Sequence, residues 1–300
     1  MHGETAYFNG EWIPSSELRI AVDDAGFLLG ATATERLRTF RGQVFRLEEH
    51  LARLRRSLEI MGLDRDAVTS EVAQALPDFL HRNQGLIDPG DDWAIIAFAT
   101  PGSALRGRPT VCVHGYPLPF RQWAPQFETG VPVVVSQFRQ VPTSCWPAEL
   151  KCRSRMHYYL ADREAAARQP GARAIVLDQD GYVAEATTAN VLVHREGEGL
   201  VSPPHEHILF GVSLGVVKEL AANLNVPFTM RPLTVEEFGT ANEAMLASTS
   251  ICVLPIIECN GERIGNGQPG PVYRRLIAAW SDLVGVDIPA QARRFADRRV

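Results

Sequence analysis

Few side chains in this sequence can condense with a carbonyl, and Lys151 is the foremost of them. Lysine and arginine together number 30, yet only Lys151 and Lys218 are lysine. A guanidinium stays protonated and cannot form a Schiff base, whereas a buried lysine amine can be tuned to attack a carbonyl. A lysine kept amid so much arginine therefore suggests a need for the amine itself. Lys218 lies in Gly215-Val216-Val217-Lys218-Glu219-Leu220, an amphipathic helical stretch, and reads as a solvated helix residue. Lys151 follows a proline-rich irregular stretch, Val141-Pro142 to Pro147, and precedes a helix, a setting suited to a reactive side chain.

Glu185 is the second candidate, in the strand-like run Val183-Ala184-Glu185-Ala186-Thr187-Thr188-Ala189-Asn190. Its small neighbours would let a planar group approach, and a carboxylate paired with a pyridine nitrogen keeps that ring protonated. Judged on its own, the residue reads as an exposed strand position. Gly211-Val212-Ser213 opens a helix after Ile208-Leu209-Phe210, where free amides and the helix dipole favour an anion such as phosphate. A plain helix cap at Ser213 is the alternative. Ser248-Thr249-Ser250 offers further hydroxyl donors or is a polar turn. Arg53 projects away from the Leu51, Leu54, Leu58 stripe, so periodicity makes it solvated. His205-Glu206-His207 lacks a third metal ligand at a convincing spacing, and no metal site is expected. Cys145 and His157 carry no thiol-nucleophile signature around them. Leu28-Leu29-Gly30-Ala31-Thr32-Ala33 has too few glycines for a dinucleotide fingerprint, and there is no P-loop.

The elements that must position these residues alternate between strand and helix. Strands are expected at Tyr7–Gly10 and Arg19–Val22. Helices follow over Glu48–Met61, where Leu51, Leu54, Leu58 and Met61 recur at helical spacing, and over Ala67–Arg82, with Pro77 kinking or splitting the second. Strands at Trp93–Ala99 and Thr110–His114 precede a proline-rich connection. Beyond it we expect a strand at Val131–Ser136, a helix over Met156–Arg168, and a hairpin of Ala174–Asp178 with Tyr182–His194 around Gln179-Asp180-Gly181. A helix from Gly211, a strand at Cys252–Ile257, a last helix over Val272–Leu283 and a mobile, Arg-rich tail after Pro289 complete the reading. The expected architecture is α+β in two domains with a cleft between them: a small N-terminal domain (1–116), a linker (117–127) and a larger domain (128–300).

Composition narrows the function class. The net charge is −5, and acidic and basic residues are mixed along all 300 positions. No basic tract suggests nucleic acid, and no apolar run is long enough to span a bilayer. The opening Met-His-Gly-Glu-Thr-Ala-Tyr-Phe has no charged leader before an apolar stretch, so no secretory signal is expected. The five cysteines (Cys112, Cys145, Cys152, Cys252, Cys259) are scattered without a C-x-x-C pair, as expected of reduced thiols in the cytoplasm.

Read together and in order, these segments resemble the fold type IV (class IV) pyridoxal-phosphate (PLP) family. That family includes branched-chain and D-amino-acid aminotransferases, (R)-selective amine transaminases and aminodeoxychorismate lyases. The resemblance runs through Tyr7-Phe8-Asn9-Gly10-Glu11-Trp12, Asp24-Ala25-Gly26-Phe27 with Gly30 and Glu35, and Glu49-His50-Leu51-Ala52-Arg53-Leu54. It continues through Lys151, Gly181-Tyr182-Val183-Ala184-Glu185 and Asn190-Val191, Ile208-Leu209-Phe210-Gly211-Val212-Ser213, Asn242-Glu243 to Thr249, Leu254-Pro255-Ile256 and Gly265 to Pro271.

The resemblance implies a two-domain α+β PLP aminotransferase, with a small N-terminal α/β domain and a larger, barrel-like C-terminal α/β domain. Lys151 would form the internal aldimine and shuttle a proton. Glu185 would hold the pyridine nitrogen, and Arg53, Val212, Ser213 and Thr249 the phosphate. Leu209 would cushion the ring, and Phe27, Arg38 and Ser250 would meet the substrate. It further implies ping-pong transfer between an amino acid or amine and a 2-oxo acid, and a homodimer. The alternatives are an aminodeoxychorismate-type lyase and a catalytically idle PLP-fold binding protein. Ser154 stands where family members often carry Asn, and Leu214 where Arg is common. Arg155 matches the lyases and Phe27 replaces a D-amino-acid aminotransferase Tyr, while Arg106-Gly107-Arg108 is only a loose counterpart of that enzyme's Arg-x-His motif.

Overall fold

Strand-forming runs of Ile, Val, Phe and Ala organise both halves of the chain. The computed structural model describes residues 4–105 and 107–298. Arg106, part of the Arg-x-His comparison, lies outside the described residues. Two units divide the molecule: residues up to Leu118 together with Glu149–Ser154, and Pro119–Ala148 together with the chain from Arg155 onward.

In the first unit, β1 (Thr5–Phe8), β2 (Glu11–Pro14), β3 (Ala33–Phe40), β4 (Gln43–Val44), β5 (Trp93–Thr100) and β6 (Thr110–Pro117) form a sheet in the order β2-β1-β6-β5-β3-β4. A short helix, α1 (Ala25–Leu28), precedes β3, while α2 (Leu47–Ile60) and α3 (Arg65–Asn83) cover one face. Period-two alternation divides the strand residues between the faces. Leu37, Ile95, Ala97, Val111 and Val113 pack with Leu54, Leu58, Val72, Leu76 and Phe79 of the helices. Ile96, Phe98 and Cys112 gather on the opposite face with Phe8, Leu18, Ile20 and Tyr116.

Two expectations change here. Arg19–Val22 is not a strand: Arg19 folds back onto the Ser16 and Leu18 carbonyls (2.7 and 2.8 Å), and Ile20 packs on the sheet face instead of pairing. Pro77 does not split α3, whose buried Val72, Leu76 and Phe79 hold it to the sheet on both sides of the proline.

In the second unit, β7 (Val131–Arg139), β8 (Arg173–Leu177), β9 (Val183–Ala186), β10 (Ala189–Arg195), β13 (Glu243–Ser248) and β14 (Cys252–Cys259) close into a barrel. Closure comes from β9 pairing with both β8 and β10. β11 (Gly199–Ser202) and β12 (Phe228–Met230) extend the sheet from β10, and β15 (Glu262–Arg263) pairs with β14. β7 and β8 are parallel and joined through α5 (Met156–Arg168), after the short α4 (Gln126–Thr129). Ala161 and Ala165 of α5 seat on Val134, Ala174 and Val176. The remaining helices are α6 (Val212–Asn223), α7 (Val235–Gly239), α8 (Pro271–Val284) and α9 (Ile288–Arg294).

The single strand expected over Tyr182–His194 is two, because the chain reverses at Thr187-Thr188 and Ala189 pairs back on Ala186. The tail expected to be mobile forms α9. Asp287 caps it by accepting from the Ala290 amide at 2.9 Å, and Ile288 and Ala292 are buried. Phe295 stacks on Phe120, with ring centroids 6.5 Å apart.

Candidate active site

Lys151 sits on a segment tied down at every residue from Lys151 to Ser154. Cys152 bridges Ala33 at the open edge of β3; the Thr34 amide donates to the Lys151 carbonyl at 3.0 Å, and the Arg153 amide to the Thr32 carbonyl at 3.1 Å. The Lys151 amide donates to Ser57 Oγ of α2 at 3.1 Å, and Ser154 Oγ to the Gly30 carbonyl at 3.0 Å. Gly30 has a φ of 69°, and a Cβ there would sit 2.8 Å from Ser154 Oγ, so glycine serves both the turn and the approach. The lysine of an irregular stretch thus has a backbone held as firmly as a strand.

Beside it lies a buried ionic cluster. Glu35 of β3 faces α2, where His50, Arg53 and Ser57 recur at helical spacing on one side. Arg53 Nε and Nη2 donate to the two carboxylate oxygens of Glu35, each at 2.8 Å, and His50 Nδ1 reaches Oε2 at 2.8 Å. Burial alone would raise the Glu35 pKa, but Arg53 and His50 outweigh it and bring it down to about 2. Burial lowers the pKa of His50, reinforced by the Arg53 and Lys151 charges against the pull of Glu35. We therefore assign His50 as neutral, with Nδ1–H donating to the carboxylate. The solvated Arg53 expected from periodicity is corrected here, since its side chain is 13% exposed. An acid alternating with Ala33 and Leu37 on the helix-facing side of β3 was the signal that a cation had to come to meet it.

In the second unit, Glu185 is buried on β9 rather than exposed, paired laterally with Val176 and Asn190. Tyr158 of α5 donates to Glu185 Oε1 at 2.7 Å, and Gln140 Nε2 donates both to Oε1 and to the Tyr158 oxygen, the latter at 3.1 Å. Gln140 Oε1 accepts from the Nε2–H of His157 at 2.9 Å. Burial, and then the Glu185 charge, push the Tyr158 pKa well above its ordinary value, so it remains a phenol that donates. Tyr158, Gln140 and His157 aim one oxygen of the carboxylate, and the sequence reading gave none of them that role.

Helix α6 begins at Gly211, and no side chain caps it. Ser213 is not a helix cap, the alternative reading; it lies in the first turn and is buried. Asn190 clamps the approach: its Nδ2 donates to the Leu209 carbonyl at 2.8 Å and its Oδ1 accepts from the Gly211 amide at 3.0 Å. A Cβ on Gly211 would collide with that Oδ1, so the turn is built for glycine. Thr249 and Ser250 are half-buried in the turn joining β13 to β14. In the first unit, Phe27 is 68% exposed, while Arg38 is buried with its guanidinium 3.9 Å from the Phe40 ring centroid. His207 meets Asp178 at 3.2 Å, and among the described residues no group of three or more His, Cys, Asp or Glu is placed to hold a metal.

Within each unit the groups suit part of a phosphorylated pyridine aldehyde: a positioned amine in the first, and in the second a buried, hydrogen-bonded carboxylate and a helix whose first residues no side chain caps. Comparison with known proteins agrees. The model of the family "Amino-transferase class IV" matches residues 32–259, a span that includes Arg53, Lys151, Glu185, Ser213 and Thr249. The D-alanine aminotransferase of Staphylococcus aureus (strain N315) is 29% identical over 286 residues, covering 91% of this chain and 95% of that protein. The branched-chain-amino-acid aminotransferase-like protein 1 of Arabidopsis thaliana is 28% identical over 293 residues; the match takes in 95% of this chain but only 52% of that longer protein. Among solved structures, the T.th. branched-chain amino acid aminotransferase complexed with N-(5'-phosphopyridoxyl)-L-glutamate superposes with a TM-score of 0.84 at 23% identity, covering 94% of this chain and 95% of that one. On the family match, this chain belongs to the class IV aminotransferases, enzymes that use pyridoxal 5'-phosphate.

Proposed function

We propose that the protein transfers an amino group between an α-amino acid and a 2-oxo acid by a ping-pong route, with Lys151 as the cofactor-bearing residue. The observation that carries this is the pinned Lys151 segment, an amine on fixed backbone beside the neutral His50 and the ionised Glu35. Bound pyridoxal phosphate supplies an electron sink that makes the substrate Cα–H acidic. The protein supplies the rest. Lys151 Nζ takes and returns the proton at Cα. Glu185, oriented by Tyr158 and Gln140, offers the buried negative charge that keeps a ring nitrogen protonated. The Val212 and Ser213 amides, Arg53 and Thr249 hold the phosphate, and Leu209 packs on the ring.

D-alanine and branched-chain aminotransferases among its relatives make small and branched amino acids the first donors to try, together with an (R)-amine. Val22, Phe27, Leu28 and Leu29 are 62–78% exposed, an apolar stretch that supports a homodimer. All five cysteines are free thiols, which supports a cytoplasmic setting. Among the described residues no helix is long and apolar enough to cross a membrane.

The test is an absorbance spectrum of purified protein with added pyridoxal phosphate, before and after each candidate donor. We expect a cofactor band in the wild type that changes on amino transfer and is absent from Lys151→Ala. A wild type with no band after cofactor addition overturns the reading.

A further inference from the structure

The face of the six-stranded sheet turned away from α2 and α3 carries more positive charge than a core needs. The register sets Arg36, Ile96 and His114 in one lateral row, Thr34, Phe98 and Cys112 in the next, and Arg38, Ala94 and Tyr116 beyond. The Lys151 segment continues this surface. Its antiparallel bridge at Ala33 and Cys152, flanked by hydrogen bonds from Thr34 and Arg153, places Lys151 and Arg153 on the side of Thr34 and Arg36. The Arg153 guanidinium lies 5.7 Å from the Phe98 ring centroid, and Arg36 donates to the Tyr116 hydroxyl at 2.6 Å. Aromatic floors of this kind hold the two arginines extended. Arg153 is exposed and Arg36 half-buried, so both are within reach of a ligand. His114 lies in the same field: burial, then the Arg153 and Arg36 charges, lower its pKa to about 4.

We propose that Arg36 and Arg153 form a carboxylate subsite for the substrate on the sheet face that carries Lys151. A guanidinium fork matches a carboxylate in two hydrogen bonds, and two forks on the face that carries the amine select amino and oxo acids over simple amines. The inference deepens the proposed transamination and rests on Lys151 as the reacting amine.

The experiment titrates propanoate, and separately its neutral isostere propanamide, into cofactor-loaded wild type, Arg36→Leu, Arg153→Leu and Arg36→Lys by isothermal calorimetry. Losing one charge-assisted partner should weaken propanoate binding about tenfold or more. Arg36→Lys should weaken binding less than Arg36→Leu, since an ammonium keeps the charge but not the two-bond fork, and propanamide should bind all four proteins alike. The KM for alanine should rise in the leucine variants while the cofactor band stays unchanged. Propanoate binding as tight in both leucine variants as in the wild type overturns the subsite. Should Arg36→Leu fail to fold, the exposed Arg153→Leu still decides the matter. Should the wild type not hold the cofactor, the Lys151 reading fails, and the same titration of the cofactor-free protein still reads the subsite.

Discussion

Glu185 and Glu35 are both buried carboxylates, and their surroundings assign them different work. Glu185 is oriented by neutral donors, Tyr158 and Gln140, and is the group proposed for a ring nitrogen. Replacing it with Gln keeps the shape and removes the charge. We expect kcat for transamination to fall on the order of a hundredfold, with stability changed by only about 1 kcal/mol. Rapid-mixing kinetics and urea unfolding of Glu185→Gln check both parts, and unaltered turnover sinks the assignment. Glu35 is instead matched by Arg53 and His50, and its consequence is pH-dependent stability. Its folded pKa of about 2 lies below its ordinary 4.5, so the unfolded chain binds more protons in that range. The stability contributed by the ionised form is present above 4.5 and is lost as the pH falls toward 2. His50 adds to the same acid limb, because its lowered pKa keeps the folded state neutral while the unfolded state takes up a proton below 6.5. Denaturant midpoints measured from about pH 7 to about pH 3 should therefore fall less steeply in Glu35→Gln than in the wild type.

At the scale of elements, two short segments carry the proposed site, and each depends on a contact from far along the chain. The turn into α6 is clamped by Asn190, whose Oδ1 occupies the space a Gly211 side chain would need. Gly211→Ala should cost about 1–3 kcal/mol through this overpacking. It should also weaken cofactor retention, read as faster loss of the absorbance band on dialysis; equal retention would mean the helix start does not hold the phosphate. Both segments were partly legible. The glycine before an apolar helix marked the α6 start, and the proline-rich run marked the Lys151 loop as irregular. Asn190 and Ser57 were not legible as clamps, because they come from elements 21 and 94 residues away in sequence.

For the whole molecule, the apolar stretch around α1 is the feature a single copy leaves unexplained. Leu28 and Leu29 are 62% and 77% exposed, and large side chains at such exposure are usually covered by a partner. Sedimentation should give twice the chain mass for the wild type and the chain mass for a Leu28→Glu, Leu29→Glu double variant with unchanged circular dichroism. A monomeric wild type would remove the proposed dimer.

What the sequence determined by itself was local. The apolar run Ile95-Ile96-Ala97-Phe98 specified a strand, and the stripe of Leu51, Leu54 and Leu58 specified α2. The rarity of lysine marked Lys151 as an amine worth keeping. Only tertiary structure decided which polar residues are buried together. Periodicity placed Arg53 in solvent because helical spacing reports one helix against water, whereas the face it occupies meets Glu35 from a strand 18 residues earlier. The local run likewise placed Glu185 on an exposed strand; barrel closure through β8, β9 and β10 buried it and brought Tyr158 and Gln140 to its carboxylate. Lys151 itself became a fixed point only when its loop paired with the open edge of β3. A hydrogen bond between residues more than a hundred positions apart leaves no trace in local composition.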